Sequence, residues 1–281
     1  MIPSPGRLYV HDDLTEALAA PGVGAAAREL GRRLLARLAR DPRVVVGTLA
    51  AEAAALAAHG PHAPFAITVV VGAAGARAAQ AVHARTGWFP RVHRVDVWRE
   101  EDATGRLVLA GPAPLGAQLA AVDGMASVAV VDDTVYSGLT LDAVLAALPP
   151  APGRRLHAFC LRGVEAGLAV VARRAPLSAG VVLPGRPDVD VSVITAAGLV
   201  RRGAIRRAGA PSLAFFERPA WMAAWFPDDA PEVIALCRAL AAHLEPAEAR
   251  PVTRGARWRA GAGAARPGGR APRRGRGSPG P

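Results

Sequence analysis

Between Ser127 and Leu141 the chain reads SVAVVDDTVYSGLTL. Val128 to Val131 form an apolar run without polar alternation, the pattern of a strand buried on both faces, and the run stops at Asp132 and Asp133. A hydroxyl-rich turn follows, and apolar residues at 141, 144, 145 and 148 then mark one face of a helix. Four or more such strands alternating with helices along the chain support an α/β fold with a mostly parallel sheet and helices on both faces. Ligands of such sheets bind at the strands' C-terminal ends, where these acids and hydroxyls fall.

Each part suits a sugar phosphate. Amides at a helix N-terminus, with the hydroxyls of Thr134, Ser137 and Thr140, can surround a phosphate that the helix dipole also favours. Gly138 lets the backbone come close. Two carboxylates are acceptors for vicinal hydroxyls and can hold a divalent cation indirectly, through those hydroxyls or water. The combination describes a ribose 5-phosphate. Asp133 or Ser137 as a mere helix cap is the plainer alternative, but a cap needs one such residue and this stretch supplies a full set.

These residues resemble the signature of type I phosphoribosyltransferases: four apolar residues, two acids, and Ser/Thr-Gly-x-Thr. The resemblance implies that Asp132 and Asp133 bind the ribose hydroxyls of phosphoribosyl pyrophosphate (PRPP). It implies that the loop Thr134, Val135, Tyr136, Ser137, Gly138, Leu139 and Thr140 binds its 5-phosphate, and that Mg2+ accompanies the substrate. A strand at Ile67–Val71 turns through small residues into a helix reaching about Arg85, leaving amides uncovered as an anion site requires. In the family a pyrophosphate loop stands there, here Ala73, Ala74, Gly75 and Ala76 with Arg77. The family's mobile basic loop falls after the next strand, Val92 to Trp98, with Arg99 and Arg106 as its basic groups.

The implied reaction is displacement of pyrophosphate from ribose C1 by a ring nitrogen or another nucleophile. The acceptor is not readable. Tyr136 stands where the 6-oxopurine branch has an acid, and the lysines usual in orotate enzymes are absent because the chain has no lysine. A pyrimidine or an unusual heterocycle fits better than hypoxanthine or guanine. The rival reading is a non-catalytic PRPP-sensing regulator on the same fold.

The 281 residues, 51% hydrophobic, suit one domain over 1–245, with its core at about 65–195, a helical N-terminal region and a hood. A short irregular lead precedes a helix at 24–40, a brief strand at 44–46 and a helix at 49–58. Residues 107–118 read as extended. Later strands are expected at 155–161, 179–183 and 189–194, with a helix at 164–175. Phe215, Phe216, Trp221, Trp225 and Phe226 either pack the last helix, 232–243, or stack on a base.

Nine arginines after Glu248 carry most of the +11 charge, leaving +2 for the rest. Residues 246–281 therefore read as a disordered Arg/Gly/Pro-rich tail rather than a nucleic-acid arm. Cys160 and Cys237 suit buried free thiols. No run is long enough to span a membrane and the N-terminus does not resemble a signal peptide, so a cytoplasmic protein is expected. A homodimer is left open.

Overall fold

Val128, Ala129, Val130 and Val131 lie wholly out of water because the sheet they enter is covered on both sides. The computed structural model describes residues 6–60, 62–244 and 256–257. In chain order the elements begin with β1 (Arg7–His11), α1 (Leu14–Ala19), α2 (Ala25–Leu38), β2 (Val44–Gly47), α3 (Leu49–Ala57), β3 (Ile67–Val71) and α4 (Gly72–Thr86). Then come β4 (Val92–Val95), β5 (Trp98–Glu101), β6 (Leu107–Gly111), α5 (Leu115–Gln118), β7 (Ser127–Val135), α6 (Leu139–Ala147), β8 (Arg155–Val164) and α7 (Glu165–Ala172). The last are β9 (Leu177–Leu183), β10 (Val191–Thr195), α8 (Ala196–Val200), β11 (Ile205–Arg207), β12 (Ala210–Leu213), α9 (Pro219–Trp225), α10 (Ala230–Leu244) and β13 (Ala256–Arg257).

The central sheet runs β4-β3-β7-β8-β9, every pair parallel. Alternation along β7 divides its core in two. Val128 and Val130 pack with Leu141, Val144 and Leu145 of α6 and Val171 of α7. Ala129 and Val131 pack with Ala53 and Leu56 of α3 and Ala78, Ala79 and Val82 of α4. The expected α/β class with mostly parallel strands and helices on both faces is thus what the chain forms.

Four expectations change. Residues 7–11 are not an irregular lead: β1 is the middle strand of a second parallel sheet, β10-β1-β2, with Leu8 and Val10 fully buried. β10, expected in the one large sheet, pairs with β1 instead. This sheet shares a core with α2 and α10, in which Trp225 and Phe226 are buried and Phe215 and Trp221 pack at their edge, so the aromatic cluster serves packing. The expected strand 92–98 breaks after Val95. At the break the Gln118 side chain accepts from the Asp96 amide and donates to the Asp96 carbonyl, replacing a neighbouring strand. β5 then joins a mixed sheet, β12-β11-β5-β6-β13. Residues 107–118 are not extended throughout, because β6 gives way to α5.

Of the tail expected to be disordered, Ala256 and Arg257 pair antiparallel with β6; the remainder lies outside the described residues. Cys160 and Cys237 are buried free thiols. Among the described residues no helix is long and apolar enough to cross a membrane.

Candidate ligand site at the end of the central sheet

β7 outlasts its apolar run and carries Asp132 and Asp133 to the sheet's C-terminal end, where the chain turns through Gly138 (φ 82°) into α6. An open pocket forms there, lined by Arg99, Asp132 and residues 134–141. The turn is held from behind by α7. A side chain at Gly138 would place its Cβ 2.7 Å from the Gly167 carbonyl oxygen, and one at Gly167 would run into the Tyr136 carbonyl. Two glycines are therefore required at this crossing.

The adjacent acids sit in opposite electrostatic settings. Burial, and then the charge of Asp133, push the Asp132 carboxyl well above its ordinary range, and Arg99 only partly offsets them. Burial acts upward on Asp133 too, but Arg162, the Thr134 hydroxyl and Asp132 outweigh it and hold Asp133 below its ordinary range. The two neighbouring carboxyls are therefore pushed in opposite directions. Oδ2 of Asp133 accepts from Arg162 Nη2 at 2.8 Å and from the Thr134 hydroxyl at 2.9 Å. Among the described residues no three His, Cys, Asp or Glu side chains gather to hold a metal. A cation here would rely on this carboxylate pair and on oxygens of the ligand.

Residues 73–77 are not the loop expected of them. α4 begins at Gly72 directly after β3, so Ala73, Ala74, Gly75, Ala76 and Arg77 are its first turns. No side chain caps its leading amides, which keeps the anion-binding chemistry of a helix N-terminus. Gly75 serves helix–strand contact: its Cβ would stand 2.8 Å from the Val131 carbonyl oxygen and 3.5 Å from Asp132 Cα. Arg77 is exposed.

Arg99 reaches the pocket from β5, its guanidinium 6.0 Å from the Tyr136 ring centre. Arg106 does not. It lies exposed beyond a hairpin turn that Asp102 closes by accepting from the Thr104 amide and hydroxyl and the Arg106 amide. Tyr136 donates its hydroxyl to Asp188 at 2.6 Å and accepts from the Asp188 amide at 2.8 Å, tying the turn to the segment before β10. Burial and then Asp188 push the phenol's pKa up.

Sequence reasoning missed Arg162, Glu52, Tyr9 and His11. Two signals were present: Arg162 follows the apolar run Ala158-Phe159-Cys160-Leu161, and Glu52 is the one acid in an alanine-rich helix. Charges so placed are buried only when paired.

No family model matches the chain, and none of the curated proteins is similar to it. Among solved structures it is similar to the AQ2163 protein from Aquifex aeolicus at 15% identity and TM-score 0.31, over 42% of this chain and 54% of that one. The chain thus spans about half that protein's length. It is similar to a Helicobacter pylori xanthine-guanine-hypoxanthine phosphoribosyltransferase at 15% identity and TM-score 0.30, over 66% of this chain and 90% of that one. For a purine phosphoribosyltransferase from Pyrococcus horikoshii the figures are 13% and 0.30, over 66% of this chain and 92% of that one.

Proposed function

We propose that the chain binds PRPP with Mg2+ and transfers its phosphoribosyl group to a nitrogen heterocycle, releasing pyrophosphate. The observation that carries this reading is the joining, at one strand end, of the Asp132–Asp133 pair to a glycine-locked hydroxyl turn, with Asp132, Arg99 and the turn lining one open pocket. The turn 134–140 would hold the 5-phosphate and the acids the ribose hydroxyls. The leading amides of α4, with Arg99, would face the pyrophosphate. In the reaction the bond from C1 to the pyrophosphate oxygen breaks, the acceptor nitrogen bonds to C1, and its proton leaves. These residues position groups and balance charge rather than react covalently.

Mg2+ would neutralise charge on the leaving pyrophosphate. Because Tyr136 brings no carboxylate to the pocket, hypoxanthine and guanine should not be the best acceptors.

The test is calorimetry with Mg–PRPP, followed by pyrophosphate release across a panel of nucleobases and other heterocycles. Tight binding that weakens about tenfold or more in Asp132→Asn/Asp133→Asn, the worth of lost charged acceptors, is expected. Unchanged affinity in the folded double variant would sink the site. Binding with no acceptor that releases pyrophosphate would leave the PRPP-sensing regulator in place of the enzyme.

A further inference from the structure

Behind the acid pair runs an ionic chain that the turn chemistry does not use. Arg162, wholly buried on β8, gives Nη1 to Glu52 Oε2 at 2.6 Å and Nη2 to Asp133 Oδ2 at 2.8 Å. The other Glu52 oxygen, Oε1, accepts the Tyr9 hydroxyl at 3.0 Å and lies 3.1 Å from His11 Nδ1. Against a carboxylate that nitrogen must be the donor. Burial would raise the Glu52 pKa, but His11, Arg162 and Tyr9 overcome it and keep the group ionised. Gly47 gives the carboxylate room, since a Cβ there would stand 2.6 Å from Oε1.

Stability is a poor reason for this arrangement. A buried ion pair seldom outperforms apolar residues of the same volume. Arg162 also leaves Nε buried without a partner, which works against stability. What the chain of contacts achieves is orientation. Tyr9 and His11 fix Glu52, Glu52 fixes the guanidinium, and the guanidinium with Thr134 holds one oxygen of Asp133 from two sides. The Asp133 side chain still keeps 23% of its surface open to solvent.

We propose that Arg162, seated by Glu52, Tyr9 and His11, is a positioning residue that fixes Asp133 as the acceptor for the ribose hydroxyls of the bound sugar phosphate. A strand from the chain's N-terminus thereby sets the preference for ribose over 2-deoxyribose. The assignment rests on the ribose 5-phosphate reading of the turn.

Calorimetry with ribose 5-phosphate and 2-deoxyribose 5-phosphate tests it, at one pH and one Mg2+ concentration. The wild-type chain should prefer ribose by about tenfold or more, the worth of a charge-assisted hydrogen bond. Arg162→Met should bring that ratio close to one while binding of the deoxy sugar persists, and Arg162→Lys should restore part of it. Because Arg162→Met strands two carboxylates and can fail to fold, Glu52→Gln and the isosteric Tyr9→Phe supply milder steps. The ratio should fall by about threefold in Tyr9→Phe, the worth of one neutral hydrogen bond. An unchanged ratio in folded Arg162→Lys, Glu52→Gln and Tyr9→Phe overturns the positioning role alone, as does an equal loss of both sugars. A wild-type chain that binds neither sugar overturns the ribose 5-phosphate reading and this assignment with it.

Discussion

At the N-terminal end of the central sheet Phe65, Trp88, Phe89 and Phe159 meet ring to ring, with centroids 5.1 to 6.3 Å apart, and His62 and His157 complete the cluster. At the other end the same strands finish in Asp132, Asp133 and Arg162, where burial works against charge. One end excludes water with apolar rings. The other keeps ionised groups by pairing them, and one buried donor is left unmatched. The lesson is a division of labour along one set of strands: the first end supplies free energy that the second consumes in holding charge where a ligand can meet it.

That contrast can be broken in four ways. The largest effect is expected from Phe159→Ala, which opens a cavity in the aromatic end and should cost about 3–5 kcal/mol in denaturant unfolding. Ligand preference in the folded fraction should not change. A loss of ribose selectivity there would show that the ends are not separable.

Next is Gly75→Ala at the acid end, where the added Cβ meets the Val131 carbonyl. The helix or strand must give way, at about 1–3 kcal/mol, and the Asp132 backbone should move with it. Unaltered stability would remove Gly75 from the contact.

Asp132→Asn should do the reverse, raising the melting temperature by a few degrees while Mg–PRPP binding weakens. The sign follows from the raised pKa. The folded chain holds the Asp132 proton more tightly than the unfolded chain, whose carboxyl ionises around its ordinary 3.8, so this group's contribution is full below that pH and declines as pH rises. Asparagine does not titrate, so its advantage should grow with pH. A melting temperature below wild type at pH 7 would contradict this.

The smallest effect belongs to His157. Burial, then His62 and Arg155, bring its pKa from 6.5 down to about 4. The stability it contributes is therefore full above pH 6.5 and lost as pH falls through about 4. Asp132 and His157 should therefore respond to acid in opposite directions. Thermal melts from pH 7 to pH 4 should show a shallower decline in His157→Gln, and parallel curves would place the titration elsewhere.

Legibility in the sequence followed the range of the contacts. Ser127–Val135 and the turn into α6 were readable because strand, acids and helix start are local and each has its own residue pattern. β1 was not, since five residues acquire strand character only through partners at 44–47 and 191–195. The break at Asp96 depends on a glutamine 22 positions later, which no periodicity reports. Of the site residues expected from the sequence, Arg99, Asp132 and residues 134–140 line one pocket. Arg106 has the same chemistry as Arg99, but the Asp102 turn holds it away. Arg162, Glu52, Tyr9 and His11 were missed because their meaning lies in one another, across |i−j| separations of 29 to 110 residues.

The crossing of Gly138 and Gly167 bears on how a ligand arrives. Because α7 sets the turn's shape from behind, its amides and hydroxyls are arranged when the chain folds rather than when a phosphate docks. Little conformational freedom is then left to lose on encounter. Association should proceed without a slow rearrangement step, with a rate that scales linearly with ligand concentration, and differences in affinity among ligands should appear in how long each one stays.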